Sequence, residues 1–132
     1  VTLPKVVIPE QVTALVNLFK ILESKTSIPS GALKLEIMVE TPQSIINRRG
    51  EIALPSFVAA AEGRCVAAHF GVYDYTASNN ITASFQSMTH PACDFARTVM
   101  KVSLAGTGIW ISDGATNVMP VGPHRHKKGE NR

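Results

Sequence analysis

The sequence predicts an α/β protein built on a parallel sheet. Apolar runs at residues 33–39 and 65–70 have the length and composition of buried strands. Segments with helical spacing lie between them, which is the pattern of consecutive βα units. The spacing of the predicted strand centres fits units of about 30 or more residues; these centres are Leu3, Ile37, Ala67 and Ile111.

The length of the chain limits how these units can be arranged. Its 132 residues suffice for one domain with one core. An eight-stranded βα barrel typically needs about 250 residues. The four predicted units therefore form either a small open sheet or about half of a barrel.

The first part of the chain is predicted to run from a strand into a long helix. The strand covers residues 2–8, and the helix begins at Pro9, because proline followed by an acid suits a first helical turn. Residues 24–30 form a predicted loop before the second strand at 33–39. The buried face of the helix is predicted to contain Val12, Leu15, Val16, Phe19 and Leu22.

Two helical segments are predicted between the second and third strands. The first begins at Thr41 and continues to Ile46. The second covers residues 56–62 and ends at Gly63, a common residue at the end of a helix. The third strand, residues 65–70, follows directly.

A long polar loop is predicted at residues 75–90, and loops of that length inside a compact domain are usually functional. Pro91 then begins a helix, and residues 109–111 form the fourth strand before a polar loop at 112–117. The apolar face of this helix is predicted to contain Phe95, Val99 and Val102.

The charge of the chain is concentrated at its end. The net charge is +3, and residues 123–132 alone carry four cations and one anion, which leaves the remainder neutral. The sequence therefore predicts a domain at residues 1–122 and a basic polar tail at 123–132. A neutral domain argues against nucleic-acid binding, which favours a basic face on the fold itself.

Other sequence features exclude several classes of protein. No apolar run reaches the roughly 20 residues of a membrane helix, and no secretory signal is present. Cys65 and Cys93 form no C-x-x-C pair, so we expect reduced thiols in a cytoplasmic protein, with a disulfide or a nucleophilic role as the alternatives. The chain also lacks the sequence patterns of a P-loop, a dinucleotide-binding turn, a zinc site and a nucleophile elbow.

Two carboxylates follow neighbouring predicted strands. Glu40 comes after the second strand and Asp74 after the third. In a parallel sheet the carboxyl ends of all strands lie at the same edge, and ligands bind there. Oxygen ligands of this kind suit Mg²⁺, so the pair predicts a magnesium site. The alternative is that each acid caps the helix or turn that follows it.

Several other residues have both a functional and a plain structural interpretation. Lys5 could bind a substrate carboxylate or phosphate, or be an ordinary exposed lysine. His69 could be a catalyst or a hydrogen-bonded core residue. Asp113 could assist proton transfer or belong to a simple turn. Arg48 and Arg49 could bind an anionic ligand or only face solvent.

Three segments resemble the citrate lyase beta-subunit and hydroxy-keto-acid aldolase superfamily. They are Leu3-Pro4-Lys5, Val39-Glu40-Thr41-Pro42 and Phe70-Gly71-Val72-Tyr73-Asp74. The resemblance is closer to an uncharacterised branch, which has segments similar to Gln86-Ser87-Met88, His90-Pro91 and Ser112-Asp113-Gly114. It implies a (β/α)₈ TIM barrel in which this chain supplies about strands four to seven.

The resemblance also implies an activity. It suggests a Mg²⁺-dependent carbon–carbon lyase or aldolase that acts on a 2-keto acid or an acyl-CoA through a metal-stabilised enolate, in a homo-oligomer. The alternatives are a non-catalytic barrel fragment that binds a metabolite or metal and, ranked last, a nucleic-acid binder that uses the tail. The candidate residues are Glu40 and Asp74 for the metal, Lys5, Thr41 and Pro42 for the substrate, and Asp113 and His69 for catalysis.

The sequence departs from the superfamily pattern in two places. The superfamily has a substrate-binding arginine on an earlier barrel strand, which this sequence does not contain. Its glycine-glycine-glutamate-aspartate motif is replaced here by Gly71-Val72-Tyr73-Asp74.

Overall fold

The computed structural model describes residues 1–116 and has four strands in one parallel sheet. The predicted tail at 123–132 and the end of the predicted domain lie outside the described residues. In sequence and in space the strands are β1 (Thr2–Leu3), β2 (Leu35–Val39), β3 (Cys65–Phe70) and β4 (Trp110–Ser112). The helices are α1 (Pro9–Thr26), α2 (Pro42–Ile45), α3 (Leu54–Ala60), α4 (Val72–Ser78) and α5 (Pro91–Leu104), with a 3₁₀ turn at Ala83–Phe85.

The strands pair in a continuous parallel register. Ile37 of β2 lies beside Leu3 of β1 on one side and Ala68 of β3 on the other, and Ala68 lies beside Ile111 of β4. This arrangement confirms the predicted α/β class with parallel βα units. Among the described helices, none is long and apolar enough to cross a membrane.

The core lies on one face of the sheet. Alternate residues of β2 and β3 point into it, and all five helices add buried side chains to the same cluster. The strand residues in this core are Leu35, Ile37, Val39, Ala68 and Phe70. Each connection between strands therefore places its helices on the same side of the sheet.

The opposite face of the sheet has no comparable cover within residues 1–116. The register places Glu36, Met38, Ala67, His69 and Trp110 together on that face. None of them belongs to the core cluster, and Trp110 is 81% exposed. Parallel sheets are normally covered on both faces, so this bare face is unusual for an isolated unit.

Local interactions explain where several elements begin. Pro9 is the first residue of α1, as predicted, and the side-chain carbonyl of Gln11 accepts hydrogen bonds from the backbone N–H groups of Val7 and Ile8. Thr41 caps α2, because its hydroxyl accepts a hydrogen bond from the Ser44 N–H at 3.1 Å. The predicted bounds of the third strand match β3.

The first strand is shorter than predicted. It ends at Leu3 rather than near Ile8, because Pro4 has no N–H for the sheet and Lys5 adopts a left-handed backbone with φ of 54°. Strands β2 and β4 also differ from their predicted bounds by one or two residues at their ends.

The predicted buried face of α1 was partly wrong. Leu22 is 40% exposed, whereas Glu23 is buried at 3%. The helix also continues to Thr26, into the residues predicted as a loop. Glu23 is drawn inward by a charged partner rather than by apolar packing: Arg64 is 5% exposed and binds its carboxylate.

Two further predictions need correction in the second half of the chain. The predicted loop at 75–90 begins inside α4, whose buried residues Val72, Tyr75 and Thr76 follow helical spacing. In α5 the predicted apolar face was partly wrong: Phe95 is 52% and Val102 69% exposed, whereas Val99 packs against the core. The face that packs on the core consists of Cys93, Ala96, Met100 and Leu104.

Candidate functional site

The carboxyl ends of β2 and β3 lie next to each other. Val39 and Phe70 are direct neighbours in the parallel register, and the Gly71 N–H donates to the Val39 carbonyl at 2.9 Å. The chain positions that follow, Glu40 on one strand and Gly71 on the other, therefore share one edge of the sheet. The structure thus brings Glu40 and Asp74 to the same edge.

Glu40 is held in a close-packed position at this edge. It is only 5% exposed, and its Oε1 accepts a hydrogen bond from the Lys5 backbone N–H at 2.8 Å. Gly71 lies directly against it: a Cβ atom at that position would lie 2.7 Å from the Glu40 Cβ and 3.0 Å from Oε2. The glycine is therefore required for the two strand ends to approach this closely.

The ammonium group of Lys5 joins the two carboxylates. Its Nζ lies 2.5 Å from Oδ2 of Asp74 and 3.6 Å from Oε2 of Glu40. The hydrogen bond to Asp74 is the main cause that raises the pKa of Lys5. The same hydrogen bond, with a smaller contribution from Glu40, lowers the pKa of Asp74. Both Glu40 and Asp74 thus lie within reach of a single cation.

The position of Lys5 depends on an uncommon backbone conformation. Its φ of 54° lies in the left-handed region, which non-glycine residues rarely adopt. This conformation directs the Lys5 N–H towards Glu40 while the side chain reaches Asp74. Such strained residues cluster at functional sites, where surrounding contacts maintain them.

A metal ion at this edge would have two protein carboxylates. Within residues 1–116, no group of three or more His, Cys, Asp or Glu side chains is placed to hold a metal ion together. Mg²⁺ commonly binds one or two carboxylates and keeps several waters. Glu40 and Asp74 meet that requirement, because both already contact one positively charged group.

An open cavity of about 200 Å³ adjoins the two acids. Its lining combines the ends of β2 and β3 with the loop after β4. The lining residues are Met38, Glu40, His69, Phe70, Gly71, Val72, Tyr73, Asp74, Gly114 and Ala115.

His69 is the third polar side chain on this cavity that the sequence indicated, after Glu40 and Asp74. It lies on the bare face of the sheet, and its Nδ1 is 2.8 Å from the Ser112 hydroxyl on β4. That hydrogen bond fixes the ring and leaves Nε2 as the nitrogen available to a ligand.

Thr41 and Pro42 do not line the cavity with Glu40. Thr41 is 8% exposed, and its hydroxyl donates to the Val6 carbonyl at 2.9 Å while it caps α2. Pro42 is the first residue of α2. In this structure both residues support the fold next to the site.

Asp113 is held by an arginine that sequence analysis missed. Nε of Arg97 lies 2.9 Å from both of its carboxylate oxygens, and Arg97 also binds Asp94. The guanidinium of Arg97 lies 5.4 Å from the centre of the Phe70 ring. Arg97 therefore ties α5 and β3 to the loop after β4. The only sequence signal for it was the i, i+3 spacing of Asp94 and Arg97.

Two more contacts fix that loop against the strand ends. The Tyr73 hydroxyl donates to the Ala115 carbonyl at 2.9 Å. A Cβ atom at Gly114 would lie 2.9 Å from the Phe70 carbonyl oxygen and clash with Val72. Neither contact could be predicted from the sequence, because each joins residues about 40 positions apart.

Comparison with known proteins gives a family but no relative of known activity. No curated protein and no solved structure matches the chain. A family model described as "Domain of unknown function (DUF6986)" matches residues 1–131. Since that match covers nearly the whole sequence, the chain belongs to the DUF6986 family.

Proposed function

We propose that this chain is part of a (β/α)₈ barrel related to the citrate lyase beta-subunit and keto-acid aldolase superfamily. The order of the strands follows the sequence, and all helices lie on one face. A doubly wound sheet would instead reverse its strand order and place helices on both faces. In a barrel, the bare face with Glu36, Met38 and His69 would form part of the interior.

We further propose that the edge with Glu40 and Asp74 carries a Mg²⁺-dependent carbon–carbon bond cleavage or formation. The substrate would be a 2-keto acid or an acyl-CoA derivative. The observation that carries this proposal is the contact of both carboxylates with the single Nζ of Lys5. Two acids that share one cation at the carboxyl ends of parallel strands match the expected position of a barrel active site.

Glu40 and Asp74 would hold the metal, with the remaining positions left to water and substrate. When bound, Mg²⁺ supplies Lewis-acid stabilisation of the developing enolate oxygen. The burial of Glu40 and its hydrogen bond from the Lys5 backbone fix one carboxylate before any ligand arrives. Such preorganisation is a main source of electrostatic catalysis.

The remaining residues have distinct tasks in this proposal. The ammonium of Lys5 binds the carboxylate of the substrate. His69 moves a proton through Nε2, because Nδ1 is held by Ser112. Asp113 positions the loop after β4 through Arg97 rather than touching the substrate.

Proton exchange at the methyl group of pyruvate tests this function. We expect the chain to catalyse Mg²⁺-dependent exchange in deuterated water, followed by NMR. Glu40→Gln and Asp74→Asn should each abolish it, whereas Glu62→Gln, which removes an exposed acid paired with Lys20, should retain it. Exchange that persists without metal, or in both the Glu40 and the Asp74 variant, would contradict the proposal.

Two observations favour a second candidate, a non-catalytic metabolite- or metal-binding barrel. Lys5 already offsets part of the negative charge of the two acids, and the adjacent cavity of about 200 Å³ is small for a CoA derivative. A binding protein of this kind would take up Mg²⁺ and a keto acid in calorimetry without any proton exchange. Calorimetry and proton exchange on the same protein samples therefore distinguish the two functions.

A further inference from the structure

A second and larger cavity is lined by residues other than those of the cavity at the Glu40 edge. Its volume is about 600 Å³, and it shares no lining residue with the smaller cavity. Ligand pockets usually measure about 300–1,000 Å³. The residues that matter for its chemistry are Val7, Ile8, Glu10, Gln43, Arg48 and Phe57.

The cavity has an apolar wall. Ala53 and Phe57 are 2% and 1% exposed, so they belong to the core and form a fixed surface. Val7 and Ile8, which precede α1, add further apolar surface, and Ile8 is 49% exposed. Exposed apolar surface in a concave site favours a ligand with an apolar body.

The charged residues on the cavity differ in whether they have protein partners. Arg49 is engaged by Glu51 at 2.9 Å. Within residues 1–116, the side chains of Arg48, Glu10 and Gln43 have neither a hydrogen bond nor an ion pair. The cavity thus presents one available cation, one available anion and one amide, and the cation and anion do not pair with each other.

The start of α1 does not itself provide an anion site. Its preceding N–H groups at Val7 and Ile8 are bound by the Gln11 side chain, and Pro9 has none. Glu10 in the first turn further disfavours an anion there. An anionic group would therefore bind Arg48, and a cationic group would bind Glu10.

We propose that this cavity binds a small zwitterion with an apolar side chain, of the class of the apolar α-amino acids. The carboxylate of the ligand binds the guanidinium of Arg48. Its ammonium group binds Glu10, and Gln43 supplies an additional hydrogen bond. The side chain of the ligand packs on the apolar surface of Val7 and Ile8. This inference is independent of the function proposed for the Glu40 edge.

Three matched probes test the need for both charges. They are leucine, 4-methylpentanoate, which lacks the ammonium group, and isoamylamine, which lacks the carboxylate. We expect leucine to bind in calorimetry at least about tenfold more tightly than either analogue, since each charged hydrogen bond typically contributes that much. Equal affinity for leucine and 4-methylpentanoate, or no saturable binding of leucine, would overturn the proposal.

Two variants assign the two charges to their residues. Arg48→Gln should weaken the binding of leucine and of 4-methylpentanoate by about tenfold. Glu10→Gln should weaken only the binding of leucine and of isoamylamine. Lys101→Gln, an exposed cation of α5 away from the cavity, is the matched control and should change nothing. Leucine affinity that is unchanged in both cavity variants would overturn the assignment. Proton exchange at pyruvate reports on the Glu40 edge alone, so the two proposals are tested separately.

Discussion

Lys5 makes three contacts with the two acids of the site. Its backbone N–H binds Glu40, and its ammonium contacts both Glu40 and Asp74. The ammonium therefore occupies the region where a metal between the two acids would lie. Lysine and metal would compete for the same oxygens.

Removal of this ammonium should therefore strengthen metal binding. We expect Lys5→Met to raise the affinity for Mn²⁺, a spectroscopic substitute for Mg²⁺, by about tenfold, because the two acids lose a neighbouring positive charge. Electron paramagnetic resonance measures free Mn²⁺ directly. Lys101→Met is the control, and an unchanged affinity in the Lys5 variant would show that the carboxylates do not share the ion.

At the level of the elements, a buried ion pair joins α1 to the start of β3. Both side chains are almost fully buried, and Arg64 binds the two oxygens of Glu23 at 2.6 and 2.8 Å. The N–H groups of Gly31 and Leu33 also donate to Glu23. Every charge in this pair is compensated, which a buried pair requires.

This pair predicts a specific dependence of stability on pH. The hydrogen bond from Arg64 is the main cause that lowers the pKa of Glu23 from 4.5 to about 2. A carboxyl group whose pKa is lower in the folded than in the unfolded state stabilises the fold at pH values above its unfolded-state pKa. This stabilisation is lost as the pH falls towards the folded-state pKa. The stabilising effect of Glu23 is therefore expected to disappear between about pH 4.5 and pH 2.

Thermal unfolding of Glu23→Gln tests this expectation. At pH 7 the variant should melt at least about 5 °C below the original chain, since it leaves Arg64 without a charged partner. The difference should shrink as the pH falls from 4.5 to 2. Glu62→Gln removes an exposed pair with Lys20 and should have little effect at any pH. A pH-independent difference for Glu23→Gln would refute the linkage.

Helix α5 allows a direct test of which face packs on the core. Met100 is 0% exposed, whereas Phe95 is 52% exposed. Met100→Ala should lower the free energy of unfolding by about 2–5 kcal/mol, because it leaves a cavity. Phe95→Ala should lower the free energy of unfolding far less, although it removes more atoms. Denaturant unfolding measures both, and a larger loss at Phe95 would reverse the assignment of the faces.

For the whole molecule, the main feature is a sheet with helices on one side only. The sole tryptophan of the chain, Trp110, lies on the bare face and is 81% exposed. We expect its fluorescence to be typical of indole in water and to be strongly quenched by acrylamide. A barrel completed by further strands would shield it, so a blue-shifted, poorly quenched signal from the isolated chain would contradict the bare face.

Much of this architecture could be predicted from local patterns. The apolar run at Cys65–Phe70 and the proline at the start of α1 define their elements through local physics. The placement of Glu40 and Asp74 on one edge followed from the geometry of parallel strands alone. The predictions of single strands and helices needed only residues close together in sequence.

The features that the sequence did not predict depend on contacts between distant residues. Glu23 is buried because Arg64, 41 positions later, binds it. Phe95 is exposed although it is apolar, because Cys93, Ala96 and Met100 have the orientation that faces the core. The contacts of Lys5 with both acids depend on its left-handed backbone, which no propensity for lysine predicts.

The outer strands of the sheet are short, and this has a consequence for solubility. Within residues 1–116, strand β1 contains two residues and β4 three, so each outer edge offers few unpaired backbone groups to another chain. Long, flat edges invite pairing with strands of other chains and hence aggregation, and short edges resist it. Pro4 and the charged Lys5 follow β1 at once and interrupt any extension of that edge. The chain is thus protected against fibre-like growth along one side of its sheet.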